Sequence, residues 1–209
     1  MSRWSLEFLN QVKSIASDAG RAILDIYQQD DVGIQTKLDQ SPLTQADLAS
    51  HHIIILALKQ LTPDIPILSE EGHTLDGEVD TLWCVDPLDG TKEFIKKNDE
   101  FTVNIALIQK NVPQLGVIYV PVEHMLYFAG PGVGAYRIKV KPTERFVSFD
   151  TLAQSAVKLP EVQKRAFTMV GSRSHMSTET AEYFEGVRMQ HPDAEIISKG
   201  SSLKICMIA

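Results

Sequence analysis

Cysteine is nearly absent from this chain: two residues in 209, Cys84 and Cys206, each set in apolar sequence. So few thiols argue against a disulfide scaffold or a thiolate metal cage, and read instead as reduced core packing. Long hydrophobic runs are missing too. The longest, Ile53 to Leu58, falls far short of the roughly 20 residues that span a bilayer. Nor is there a basic excess: 20 Lys and Arg stand against 27 Asp and Glu, a formal net charge of −7. Polymeric nucleic acid, which is held by Lys and Arg clusters, is therefore not an expected partner. A small anionic substrate stays open, because bound cations can reverse the local sign. No basic flank with an apolar core opens the chain, and no repeat or low-complexity stretch is present. A protein of a reducing, cytoplasmic compartment is expected. The remaining composition, 44% hydrophobic and 22% charged, is ordinary, and the length suits one large domain or two modest ones.

Helical spacing of Leu6, Leu9, Val12, Ile15, Ala16, Ala19, Ile23, Ile26 and Tyr27 predicts an amphipathic helix over about 4–28. Val32 to Lys37 reads as a short strand and Gln45 to Leu61 as a second helix. A strand is expected from Pro66 to Ser69, then an exposed polar loop over 72–80. Thr81 to Val85 predicts a strand that Pro87 should end, since proline lacks an N–H donor. Strands follow at Phe101–Gln109, Leu115–Val120, Met125–Ala129 and Tyr136–Ile138, with a hairpin turn at Lys110-Asn111-Val112-Pro113. These describe a meandering antiparallel sheet beside two helices. The pattern changes near residue 142: a strand at Ala166–Val170, a helix at Ser177–Phe184, a strand at Glu195–Ser198 and a helical run from Leu203 to Ala209. The division expected is 1–142, a metal-binding α+β domain, and 143–209, an incomplete α/β substrate-binding domain.

The stretch WCVDPLDGTKE, Trp83 to Glu93, concentrates the chemistry. Asp86 and Asp89 close an apolar strand, Glu70 closes another, and Asp47 opens a helix. Carboxylates from separate strand ends, with a main-chain carbonyl such as that of Leu88, suit Mg²⁺, which takes oxygen ligands and shares its shell with water and phosphate. Two such ions about 3.5–4 Å apart would clamp the attacking and leaving oxygens of an in-line displacement. Gly90 and Thr91 can approach a phosphate through their N–H groups, and the Thr91 hydroxyl can orient water.

Plainer readings stand beside these. Thr44 and Asp47 fit a capping box, Thr91 an N-cap, and Asp86 and Asp89 turn formers. His175 fits an ordinary loop histidine, and Lys204 a snorkelling side chain. Glu70 and Glu71, like charges just past a buried strand, call for a cation. His51 and His52, adjacent on a helix, are expected at the surface.

DPLDGT at 86–91, with SEEG at 69–72 and SPLTQAD at 41–47, resembles the lithium-sensitive, magnesium-dependent phosphatase family that includes inositol monophosphatase and fructose bisphosphatase. KEFI at 92–95, EFTVNIAL at 100–107, SRSH at 172–175 and GSSLK at 200–204 are most similar to its 3′(2′),5′-bisphosphate nucleotidase branch. The resemblance implies an α/β fold, an αβαβα layered α+β sandwich. It implies that Glu70, Asp86 and the Leu88 carbonyl hold one Mg²⁺ and Asp86 and Asp89 a second, with Glu70 also touching a further cation. Gly90 and Thr91 would bind the scissile phosphate, while Thr91 and Asp47 activate water. Ser172, His175, Gly200, Ser201 and Lys204 would hold base, sugar and remaining phosphate. The implied reaction converts adenosine 3′,5′-bisphosphate to AMP and phosphate in sulfur assimilation. The implied assembly is a homodimer, cytoplasmic or peripheral at the inner membrane face. Inositol or sugar phosphates are the alternative substrates. The family's Trp-Asp-Thr-Ala-like motif, whose Asp completes the second metal site, does not occur before Ala209. A fragment or early-terminated product, or a non-catalytic metal- and phosphate-binding remnant, is the corresponding expectation.

Overall fold

Leu9, Val12, Ala16, Ala19 and Ile23, alternately three and four residues apart, form the buried stripe of α1 (Leu6–Tyr27). Ser5 caps its start, its hydroxyl accepting from the Phe8 N–H at 3.2 Å. Its far end is closed by Lys97, whose ammonium donates to the carbonyls of Tyr27 and Gln29. The computed structural model describes residues 5–72, 75, 77, 79–140, 155–161 and 166–209. The domain boundary expected near residue 142, and part of the 72–80 loop, lie outside the described residues. In α2 (Gln45–Leu61) the capping box is formed, the Thr44 N–H and hydroxyl donating to Asp47 Oδ2 at 2.7 and 2.6 Å. Before it, β1 (Gln35–Thr36) and β2 (Pro42–Leu43) pair antiparallel, so the strand expected over 32–37 shrinks to two residues.

Both long helices pack on one face of a seven-stranded sheet. Its strands are β3 (Ile67–Ser69), β4 (Thr81–Asp89), β5 (Thr102–Gln109), β6 (Val112–Val120), β7 (Met125–Gly130), β8 (Gly134–Lys139) and β9 (Val157–Leu159), in that order across the sheet. All neighbours are antiparallel except β3 and β4. The β5–β6 hairpin is tighter than expected. Only Lys110 and Asn111 turn, with φ of 49° and 61°, the doubly positive pattern that matches strand twist. Val112 and Pro113 already belong to β6.

Pro87 does not end β4. The strand runs on to Asp89, with Asp86 opposite Asn104 and Asp89 opposite Thr102, so two residues of β4, Pro87 and Leu88, face one of β5, Val103. That extra residue is a bulge, where a proline is tolerated because the ladder is already interrupted. Pro87 and Leu88 both turn to the buried side, and Asp86 and Asp89 come out on the same outer face. The expected convergence of the two carboxylates holds, but a bulge rather than a turn achieves it.

A short helix, α3 (Thr91–Ile95), follows directly. Beyond the main sheet, β10 (Thr168–Ser172) and β11 (Glu195–Lys199) pair in parallel around α4 (Thr178–Gln190), which extends six residues past the expected end at Phe184. The last helix, α5 (Leu203–Cys206), is shorter than the run expected to Ala209.

Candidate active site

The ends of β3, β4 and β11 and the starts of α3 and α5 meet at one cleft of about 190 Å³. Glu70, Asp89, Gly90, Thr91, Ser172, His175, Gly200, Ser201 and Lys204 all line it, with Ser41, Pro42, Lys92 and Glu93. Residues more than a hundred positions apart in the chain are thus brought together. Asp86 and Asp47 lie just behind this wall, and Leu88 is buried with its carbonyl accepting from the Thr91 hydroxyl at 3.4 Å. A larger groove of about 540 Å³ runs over Leu68, Cys84, Val117 and Ile118. Its apolar lining offers little to an anion, and it reaches the acids only at Glu70 and Asp86.

Asp86 is the most perturbed group. Burial, then the charges of Asp89 and Glu70, push its carboxyl up to about 8. It lies within hydrogen-bonding reach of Glu70, yet its buried Oδ1 has no partner. Asp89 is also raised by burial, an effect opposed by the Ser202 N–H, the Asn104 amide and Lys204. A buried, unsatisfied carboxylate oxygen among like charges is what a hard divalent cation resolves. The donor set of Glu70, Asp86, Asp89 and the Leu88 carbonyl therefore fits such an ion. Among the described residues no three His, Cys, Asp or Glu side chains form a ready-made cage, so an ion held there would need water or phosphate oxygens to complete its shell.

The cation expected beside Glu70 and Glu71 is present in another form. Lys37, from the β1–β2 connection, places Nζ 3.0 Å from Glu70 and 2.5 Å from the buried Glu71. Asp47 is fully buried, forms the expected cap and also touches Thr91. It caps α2 through Oδ2 and accepts from the Thr91 hydroxyl through Oδ1 at 3.1 Å, and burial raises its carboxyl.

Gly90 has φ of 96°, and a Cβ there would sit 2.8 Å from the Glu100 carbonyl oxygen and 3.2 Å from Ser201 Cβ. Only glycine lets the two walls of the cleft close this tightly. Lys204 does not snorkel outward. Its ammonium folds back onto the Ser201 carbonyl at 2.6 Å and faces Asp89. His175 Nε2 lies 3.4 Å from the Lys92 ammonium, and the His175 main-chain N–H donates to the Ser172 hydroxyl at 3.1 Å.

His51 departs from expectation. It is buried, 6% exposed, with Nδ1 3.0 Å from the Ser69 hydroxyl, while His52 alone is exposed. With Ser50, which donates to the Pro87 carbonyl at 2.6 Å, it ties α2 to both acid-bearing strand ends. Helical periodicity carried that signal, since Asp47, Ser50, His51 and Ile54 share one face. Sequence reading also missed Glu100, Arg173 and Asn104. Burial alone would raise the Glu100 carboxyl, but the Arg173 guanidinium, the Gly200 N–H and the Lys199 ammonium together hold it down at about 2.

Residues 4–209 match the family model described as the inositol monophosphatase family. The chain is 42% identical over 205 residues to the 3′(2′),5′-bisphosphate nucleotidase CysQ of Escherichia coli (strain K12), covering 96% of this chain and 76% of that protein. It is 38% identical over 208 residues to the enzyme of the same name from Buchnera aphidicola, covering 97% and 72%. The crystal structure of CysQ from Bacteroides thetaiotaomicron superposes with a TM-score of 0.84 at 42% identity, over 99% of this chain and 78% of that one.

Proposed function

The chain belongs to the inositol monophosphatase family, and on that premise we propose that it hydrolyses the 3′-phosphate of adenosine 3′,5′-bisphosphate in a Mg²⁺-dependent reaction. One observation carries this reading. Glu70, Asp89, Gly90, Thr91, His175 and Lys204 line one cleft, and the Asp86 carboxyl, with its buried Oδ1 unsatisfied, lies just behind them. The relatives named as bisphosphate nucleotidases, at about two-fifths identity, favour this substrate over inositol phosphate.

Glu70, Asp86, Asp89 and the Leu88 carbonyl would hold the divalent ions. Bound there, these ions supply charge neutralisation at the leaving oxygen and a more acidic attacking water. The Gly90 and Thr91 N–H groups hold the transferring phosphoryl oxygens where negative charge develops. Thr91, whose hydroxyl donates a hydrogen bond to Asp47, presents lone pairs to the cleft and orients the water in line with the ester bond. Asp47, made more basic by burial, takes up the proton through that hydroxyl. As the water oxygen bonds to phosphorus the ester P–O bond breaks, and the ribose oxygen takes a proton from solvent water to become a hydroxyl of AMP, Asp47 afterwards returning its proton to solvent. Ser172, His175, Gly200, Ser201 and Lys204 hold the nucleoside and its second phosphate.

Phosphate release from adenosine 3′,5′-bisphosphate and from inositol 1-phosphate, measured side by side with Mg²⁺, tests the reading. The nucleotide should be preferred by about tenfold or more in kcat/KM. Preference for the inositol ester would move the assignment to that substrate. Mg²⁺ binding without turnover of either ester would leave a binding protein instead.

A further inference from the structure

Side chains along β5, and just before it, alternate between two tasks, as the pleat of a strand requires. Phe101, Val103 and Ile105 enter the core at 0%, 0% and 1% exposure. Glu100, Thr102 and Asn104 face the other way, and each meets the segment that carries the nucleotide side of the cleft. Glu100, only 6% exposed, accepts from Arg173 Nε at 2.6 Å, Arg173 Nη2 at 2.8 Å, the Gly200 N–H at 2.8 Å and Lys199 Nζ at 3.2 Å. Thr102 and Ser202 share a hydrogen bond of 2.8 Å. Ser202 donates to Asn104 Oδ1 at 2.9 Å, and Asn104 in turn donates to Asp89 Oδ2 at 3.3 Å. The spacing of two in E-x-T-x-N is thus a strip of three polar groups on one face, ordered from the nucleotide end to the metal end.

None of the three lines the cleft, so none acts on the reacting atoms. Each instead fixes something that does. A buried carboxylate shared by a bidentate guanidinium, an ammonium and a main-chain N–H sets position sharply, because the planar fork admits few geometries. Gly200 permits this closeness, since a Cβ there would lie 2.5 Å from Glu93 Cγ and 3.0 Å from the Glu100 carbonyl oxygen. We propose that Glu100, Thr102 and Asn104 form a positioning strip that sets the span between the two walls of the cleft. Glu100 places the Arg173–His175 and Gly200–Lys204 segments for the nucleotide, and Asn104 aims Asp89 at its cation. The proposal rests on the nucleotidase reading above, and its distinguishing property is a division of labour along one strand.

Calorimetric titration of the full chain with Mg²⁺ and with adenosine 3′,5′-bisphosphate, alongside steady-state kinetics, tests it. Glu100→Gln should raise KM and the nucleotide Kd about tenfold or more, with Mg²⁺ affinity within about twofold of wild type. Asn104→Ala should do the reverse, weakening Mg²⁺ about tenfold while KM at saturating Mg²⁺ stays near wild type. Should Glu100→Gln not fold, Arg173→Lys keeps the charge, loses the two-pronged contact and carries the same expectation. Equal losses in both affinities for both variants, or a Mg²⁺ defect in Glu100→Gln as large as that of Asn104→Ala, would overturn the proposal. A wild-type chain that binds the nucleotide without hydrolysing it would refute the hydrolase reading, while the split in affinities would still decide this one. Wild-type protein that binds neither ligand would overturn both.

Discussion

Replacing Asp86 with asparagine should make the metal-free protein more stable, and increasingly so as pH rises. The carboxyl is raised from an ordinary 3.8 to about 8 by burial and by Asp89 and Glu70. Between those two values the folded state binds the proton and the unfolded state has lost it, so stability falls as pH increases through the window. Each tenfold difference in proton affinity between the two states is worth about 1.4 kcal/mol. Relaxation and water entry around a buried charge reduce the sum, leaving about 2–3 kcal/mol to be recovered at pH 8. For a chain of this length that corresponds to roughly 5–10 °C in Tm. Thermal melts of wild type and Asp86→Asn in EDTA, from pH 5 to pH 8, should diverge progressively. Saturating Mg²⁺ should then stabilise wild type and leave the variant nearly unmoved. Superimposable melts across that range, or equal stabilisation of both proteins by Mg²⁺, would refute the account of Asp86 as a cation-seeking carboxylate.

Three further outcomes follow from the same structure. Lys13, 3% exposed with its ammonium over the Phe128 ring and without a hydrogen-bond partner, is lowered to about 8 by burial. Its penalty is present below that pH and relieved towards the ordinary lysine value of 10.5, so Lys13→Met should gain about 2 kcal/mol in denaturant melts at pH 7, with turnover unchanged. Thr91→Val should lower kcat by about 100-fold or more, Thr91→Ser should restore most of it, and both should keep Mg²⁺ stabilisation. Gly90→Ala meets a left-handed backbone and the Glu100 carbonyl together, and chemical denaturation should show a loss of about 2 kcal/mol or more along with activity.

The parts of this protein legible from sequence are those decided locally. The spacing in α1, the Thr44–Asp47 cap and the alternation in β5 to β8 each follow from neighbours a few residues away. Pro87 reads as a terminator in sequence because its true effect depends on β5, whose register supplies the two-residue step opposite it. His51 is buried and meets Ser69 at the end of β3, a neighbour 18 positions away. Glu100 draws its partners from 73 and 100 positions further along, a distance at which no pattern within the chain carries a signal. Among the described residues, the cleft itself follows the motif closely: Gly90, Thr91, Ser172, His175, Gly200, Ser201 and Lys204, each expected to touch substrate, all line it.

The bulge in β4 has a wider consequence for recognising such centres. On an evenly pleated strand, positions 86 and 89 would point to opposite sides, and one acid would be thrust inward beside Trp83 and Val85. The six letters DPLDGT are therefore not a portable unit. Grafted beside a neighbour of matching residue count, they would reproduce the side chains and lose their shared orientation. What must be inherited is a miscount between adjacent strands, and a search by letters alone would admit impostors that lack it.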